Sequence, residues 1–261
     1  MKLYRMWGIF LRYMFAFYHT LDRLADVFFW PTVDLVLWGL TSRFFISSSS
    51  NAQMLLGMLI SGLVLWIFPW RAQYELGVNL LEDVWNRNLI NIFATPVRFR
   101  EWVMTLLSIG IAKGIISFSF AGMLAYVLYA TNIFKLGIYL FPWAVIITLF
   151  GWVFGMLVTS AVMSFGTRIQ TLAWTSIYIV VPFAAVYYPV STLPGWAQTV
   201  AHYVPASYVF EAMRAAISGH PVPITALLWP TIMSLLYLGI SFSVLVASYR
   251  KLLQRGLMSV E

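Results

Sequence analysis

Apolar residues fill this chain in long blocks, and the sparse charges fall where the blocks end. Uncharged runs cover Phe44–Trp70, Gly114–Phe134, Leu136–Thr167, Ile169–Phe210 and Ala215–Tyr249. Each reaches the roughly 20 residues that one helix needs to cross the hydrocarbon of a bilayer. Together with the apolar stretch before Arg43 they predict six crossings, near 24–45, 53–70, 102–129, 138–162, 171–188 and 225–249. The first 23 residues have another rhythm. Leu3, Trp7, Phe10, Met14, Phe17 and Leu21 recur at steps of three and four, with Lys2, Arg5, Arg12, His19 and Arg23 on the other face. That pattern predicts an amphipathic helix in the headgroup plane. A cleaved signal peptide is the weaker reading, because Arg12, Asp22 and Arg23 interrupt any apolar core and no small-residue cleavage site follows.

The longest uncharged run, Ile169–Phe210, holds Pro182, Pro189, Pro194 and Pro205. Proline lacks an amide donor and clashes with the preceding helical turn, so one straight helix is ruled out. The pattern predicts a crossing that ends near Tyr187–Tyr188, then a segment over 189–218 that dips partway back into the same face. Pro194, Trp196 and Pro205 lie in that re-entrant segment, and Glu211 and Arg214 on its short polar helix have i,i+3 spacing for an ion pair. Non-helical backbone survives at membrane depth only where protein or a water-filled cavity satisfies it.

Composition fits one polytopic domain over 1–261. Hydrophobic residues make up 61% and charged residues 10%, against about 25% charged in soluble domains. The net charge of +7 is dispersed around membrane segments rather than gathered in a stripe with stacking aromatics, so nucleic acid is not the expected partner. With a cytoplasmic N-terminus, the inner segments hold Lys2, Arg5, Arg12, Arg23, Arg71, Arg87, Arg98, Arg100, Arg168, Arg250, Lys251 and Arg255, and the outer ones Arg43 and Lys135. This bias places both termini in the cytoplasm. Trp66, Trp70, Trp102, Tyr126, Tyr129, Tyr139, Trp143, Tyr187, Tyr188 and Trp229 fall at the edges of crossings, as interfacial belts do. Gly151, Gly155 and Thr159 put small residues at every fourth position, which licenses a close helix contact.

No soluble-style active site emerges. A Gly-Lys dipeptide is absent, so no Walker A phosphate loop exists, and there is no His-Glu-x-x-His or Gly-x-Ser-x-Gly. The absence of cysteine removes disulfides, thiolate catalysis and zinc-thiolate sites. The expectation is a protein with no catalytic residues, no metal and no cofactor of its own. Three regions still ask for explanation. From Arg71 to Glu101 a predicted cytoplasmic loop carries Glu75, Asn79, Glu82, Asp83, Asn86, Arg87, Asn88 and Asn91 among apolar residues. It reads either as a solvated connector or as a helix that docks a partner, and its length favours docking. Thr95-Pro96 then predicts the start of a new helix, with threonine as cap. The re-entrant segment is the second region. The third is a pair of intramembrane charges. Asp34 and Lys113 each sit about 15 Å into their crossings. Each alone costs about 2.5–3.5 kcal/mol on insertion scales. They are expected either to pair, or to separate, with Asp34 on a transport path and Lys113 snorkelling to the inner headgroups.

The outer segment Tyr188-Pro-Val-Ser-Thr-Leu-Pro-Gly-Trp-Ala-Gln198, followed by Val204-Pro-Ala-Ser-Tyr-Val-Phe-Glu-Ala-Met-Arg214, resembles the signature of ABC-2 type export permeases. Asp26-Val-Phe-Phe-Trp-Pro31 and Asp34-Leu-Val-Leu-Trp-Gly39 resemble the opening of bacterial members, and Arg87-Asn88-Leu89 through Thr95-Pro96 and Glu101 their cytoplasmic connector. The resemblance implies an all-α membrane protein with six transmembrane helices, an N-terminal surface helix, a coupling helix and an outer re-entrant element before the last crossing. It implies the permease half of an exporter in a bacterial cytoplasmic membrane, a homodimer with two copies of a cytoplasmic ATPase that bind ATP and Mg. By the same resemblance Asn79, Glu82, Asp83, Asn86 and Arg87 would couple to that ATPase. The cargo would be a lipid, a glycolipid or polysaccharide, or a hydrophobic drug-like compound. Two other classes remain open. An ion-coupled secondary carrier would use Asp34 and Lys113 as a relay but usually shows inverted repeats, which the halves of this chain lack. A membrane-embedded lipid transferase would need clustered acids, and the nine acids here are scattered.

Overall fold

The computed structural model describes residues 2–46 and 51–255, so the predicted loop around Ser48 lies outside the described part. Among the described residues every regular element is helical. The chain opens with α1 (Leu3–His19) and α2 (Leu21–Ile46), and continues through α3 (Ala52–Trp85), α4 (Leu89–Ala94), α5 (Phe99–Tyr129) and α6 (Leu140–Phe165). After a broken stretch come α8 (Gly195–Ala201), α9 (Pro205–Ile217) and α10 (Thr225–Arg255), with α7 (Leu172–Thr175) inside the break. Among the described residues five helices, α2, α3, α5, α6 and α10, are long and apolar enough to cross a membrane.

The predicted fifth crossing, 171–188, is not a single helix. It consists of α7 and short 3-10 turns over Ser176–Ile179 and Val181–Phe183, and Ala185 has a left-handed φ of 59°. Pro182 removes one donor and crowds the turn before it, which prevents a regular α ladder here. The stretch nevertheless runs alongside α3. Gln73 on α3 donates from Nε2 to the Ala173 carbonyl at 2.8 Å, and further along α3 Gly62 abuts the Val186 backbone. Those two contacts lie about 16 Å apart along α3.

α3 is the hub, packed against α2, α5 and α6, while α6 also packs against α10. At 34 residues it is about 50 Å long, well beyond the roughly 30 Å of bilayer hydrocarbon. It continues as one helix to Trp85, past Trp70 where the predicted crossing ends. Arg87, with φ 52°, then stops it, and the Asn88 amide donates back to the Asp83 carbonyl at 2.8 Å. The start of the next long helix also differs from the prediction. Pro96 holds Thr95 extended at ψ 162°, so the Thr95 hydroxyl donates back to the Ile92 carbonyl at the end of α4. α5 begins only at Phe99, where the Glu101 carboxylate accepts the Arg98 amide at 3.0 Å and the Lys2 amide at 2.8 Å. This contact, with Phe99 stacked on Tyr249 at 3.8 Å, brings both ends of the described chain to one end of the bundle. That end also carries Trp85 and is called the basic end below.

The aromatic edges divide into two groups. Tyr126, Tyr139 and Trp229 are exposed and Trp70, Tyr187 and Tyr188 half-buried, but Trp66, Trp102, Tyr129 and Trp143 are buried packing residues. The small-residue pattern on α6 makes the close contact expected of it. A Cβ at Gly151 would lie 2.7 Å from the Pro69 Cα, and one at Gly155 would lie 3.0 Å from the Leu76 Cβ. Gly151→Val is expected to wedge α6 from α3 and lower the denaturation midpoint of detergent-solubilised protein, by about 1–3 kcal/mol of overpacking. Gly57→Ala, where an added Cβ meets nothing within 4 Å, should leave the midpoint unchanged. Equal midpoints for the two variants would contradict this packing.

Candidate functional site

Polar residues recur at every fourth position on α3: Arg71, Glu75, Asn79 and Asp83. One helix face therefore carries them all, and in the fold that face is buried. Burial is tolerable because each charge finds an opposite one. Arg71 donates from Nη1 to Asp26 Oδ2 on α2 at 2.6 Å and lies 3.6 Å from Glu75 Oε1. Lys113 of α5 donates from Nζ to Glu75 Oε2 at 2.7 Å, and Asn79 Nδ2 donates to the same oxygen at 2.9 Å. Aromatic faces complete the shell, with the Arg71 guanidinium 4.6 Å from the Trp70 ring centroid and the Lys113 ammonium 5.0 Å from that of Phe17. Two acids and two bases make the cluster neutral, and a cavity of about 110 Å³ beside it is lined by Asp22, Arg23, Tyr74 and Glu82 among others. That is room for several water molecules.

Lys113 therefore pairs with Glu75 and not with Asp34, which excludes the first of the two expected arrangements. It does not snorkel either, being only 5% exposed. Glu75 lies one turn from Arg71 on the facing helix, so α3 supplies the anion at the depth where Lys113 needs it. Asp34 lies about 12 Å further along α2 than Asp26 and shares no partner with the cluster.

A second polar group pins α1 to the basic end. Arg12 donates from Nη2 to Asp83 Oδ1 at 2.6 Å, the Tyr13 hydroxyl donates to Asp83 Oδ2, and Trp102 Nε1 donates to the Tyr13 oxygen at 3.4 Å. Burial, reinforced by the Asp83 carboxylate, pushes the Tyr13 phenol far up from its ordinary value, so it stays a donor. Arg23 pairs with Glu82. Of the five residues that the resemblance assigns to coupling, Asn79 and Asp83 are thus buried in contacts within the chain and Glu82 is half-buried. Asn86 and Arg87 lie on the exposed turn, next to the exposed Trp85, Ile90 and Asn91.

In the segment after the broken stretch, predicted to be re-entrant, the Glu211–Arg214 pair closes at 3.4 Å, and both residues also serve backbone groups. Arg214 Nη2 donates to the carbonyls of Ala185 and, at 3.0 Å, of Tyr188, while Glu211 Oε1 accepts the Val190 amide at 2.8 Å. The pair thereby satisfies the backbone that the broken stretch leaves open. Pro194 and Pro205 start α8 and α9, and Trp196 is exposed, its ring 6.0 Å from that of Phe183. Among the described residues no group of three or more histidines, cysteines or acids is placed to hold a metal ion.

Sequence reasoning set Arg71 and Glu75 in a loop, noted Asp26 only for its resemblance, and passed over Tyr13. The fourfold polar spacing from Arg71 to Asp83 was the available signal, since it continues the helix rather than marking a loop. Removing one member of a buried pair costs about 3–5 kcal/mol. Lys113→Met is thus expected to lower stability by that order, and Glu75→Gln added to it should restore part of the loss. Asp34→Asn added to Lys113→Met should restore none. A double-mutant cycle on chemical denaturation midpoints tests this, and rescue by Asp34→Asn instead would overturn the pairing. Comparison with protein-family models finds no match for this chain, and comparison with curated proteins finds none either.

Proposed function

We propose that this chain is the permease subunit of an ATP-driven exporter, with its ATPase on a separate chain at the basic end. The observation that carries this reading is the turn and short helix from Trp85 to Ala94. α3 extends beyond bilayer thickness and presents there Trp85, Asn86, Ile90 and Asn91, exposed, between two long apolar helices. An exposed helix held rigidly beyond the membrane is what a soluble motor needs in order to push on a membrane domain. The contacts of Asp83 and Glu82 with α1 and α2 move the proposed docking surface from the α3 face to this turn. The basic end is then cytoplasmic, the broken stretch between α6 and α8 makes the fifth of six crossings, and a second copy encloses the path. The membrane is a bacterial cytoplasmic membrane and the cargo a lipid, glycolipid, polysaccharide or hydrophobic drug-like compound. The resemblance in the outer segment and the missing phosphate loop support the same reading.

The buried Arg71–Glu75–Lys113 cluster is the one observation that favours the alternative, an ion-coupled carrier. The two readings differ in energy source. Protein purified in mild detergent should carry an ATP-hydrolysing partner in equal number, and Ile90→Asp with Asn91→Asp should abolish that association while membrane insertion persists. Transport by the isolated chain in proteoliposomes, driven by an ion gradient without ATP, would refute the exporter reading. Topology gives a second check. A cysteine at Arg87 should react only with reagents on the cytoplasmic face, and one at Lys135 only with reagents on the outer face. The reverse pattern would invert the assignment.

A further inference from the structure

A second cavity lies higher in the bundle, where α2, α3 and the broken stretch meet. It has a volume of about 30 Å³ and is lined by Asp34, Leu63, Trp66, Trp70, Tyr178 and Tyr187. Trp38, one turn beyond Asp34 on α2, stacks on Tyr187 with ring centroids 4.9 Å apart. The Asp34 carboxylate is the only formal charge in this lining. Among the described residues it forms no ion pair and no hydrogen bond, and the nearby cations are engaged elsewhere: Arg71 on Asp26 at 2.6 Å and Lys113 on Glu75 at 2.7 Å. The contrast with Asp26, two turns earlier on the same helix, is direct. One acid is neutralised by the fold, and the other is left at the mouth of an aromatic cavity.

Asp34 is itself exposed, so its carboxylate is open to a mobile cation that reaches the cavity mouth. The walls decide which kind. Indole and phenol rings attract organic cations through their negative faces. A hard metal ion instead needs six or more oxygen ligands in most sites, and this lining supplies one carboxylate and two phenol oxygens. A sugar ring does not fit in about 30 Å³, which is the room of about two waters. We propose that this cavity binds an alkylammonium group, with the charged nitrogen on Asp34, its CH groups against Trp66 and Trp70, and its tail leaving through the open side. Such a group is found both in the headgroup of an aminophospholipid and in a lipophilic amine. The assignment concerns binding by this chain alone and does not depend on the exporter reading.

Butylammonium, which stays in water rather than partitioning into micelles, tests the site on the intact protein in maltoside detergent. Isothermal titration should show saturable binding at one site per chain, at least tenfold tighter than any binding of butanol. Asp34→Asn should weaken butylammonium binding at least tenfold, and Trp70→Leu several-fold, with butanol unaffected by the first change. The thermal midpoint of Asp34→Asn should match or exceed that of the parent, since no native partner is lost, so a loss of binding is separable from a loss of fold. Repeating the titration in nanodiscs distinguishes the sources. Competition by phosphatidylethanolamine but not phosphatidylglycerol identifies a lipid headgroup as the occupant, and equal affinity in both identifies a free amine. Butanol binding as tightly as butylammonium, or an unchanged affinity in Asp34→Asn, would overturn the proposal.

Discussion

The pairing of Arg71 with Asp26 and of Glu75 with Lys113 is the constraint on which the rest of the bundle depends. These charges come from α2, α3 and α5, and each is buried or nearly so. A lone charge at such a position is costly, so the three helices must hold the register that brings acid to base. Apolar packing does not fix register so tightly, because one leucine replaces another as a helix slides. The ion pairs remove that freedom. They also explain why α3 continues past the point where its hydropathy falls. Its polar face is already satisfied from within, and the backbone gains nothing by breaking.

How much of this was legible in the sequence follows from the same logic. Long apolar runs announced α2, α3, α5, α6 and α10, and the start of α10 was placed correctly because composition alone marks it. The amphipathic pattern of the first residues was read correctly as a helix, though not its anchorage through Arg12 and Tyr13 to Asp83. Gly151 and Gly155 announced a close contact but not its partner on α3. The polar stretch after Trp70 was legible as a two-faced helix, but not as a continuation of α3 with its polar face buried, and for a definite reason. Hydropathy reads a charged residue as solvent-facing, and the sequence does not display the Lys113 that neutralises Glu75 across 38 positions. Matching depth suggested Asp34 for that role, but depth is one coordinate and contact requires three.

The broken stretch from 172 to 188 shows the opposite arrangement. Here the helix ladder fails, and side chains from elsewhere satisfy the backbone. Arg214 serves two carbonyls, and Glu211 serves the Val190 amide. A pair that looks like an ordinary local ion bridge in the sequence is thus a brace for distant main chain. The aromatic cavity at Asp34 sits against this braced segment through Tyr178 and Tyr187. Its shape therefore depends on α9, although no residue of α9 lines it.

Pro69 lies inside α3, two residues before Arg71. It leaves the Leu65 carbonyl without its usual helical donor, so α3 bends most easily there. Below that point the ion pairs hold α3 to α2 and α5. Above it, about 25 Å of helix from Ala52 to Pro69 carries no ion pair among the described residues, and packs through apolar contacts apart from Gln53 Nε2 donating to the Tyr129 carbonyl at 3.2 Å. A flexure of about 10° at the proline would carry the far tip through about 4 Å. α3 is thus two levers on one fulcrum, a clamped arm reaching towards the basic end and a compliant arm bearing Trp66 and the cavity wall. Gly151, with no side chain to obstruct the joint, is where α6 rests against the pivot.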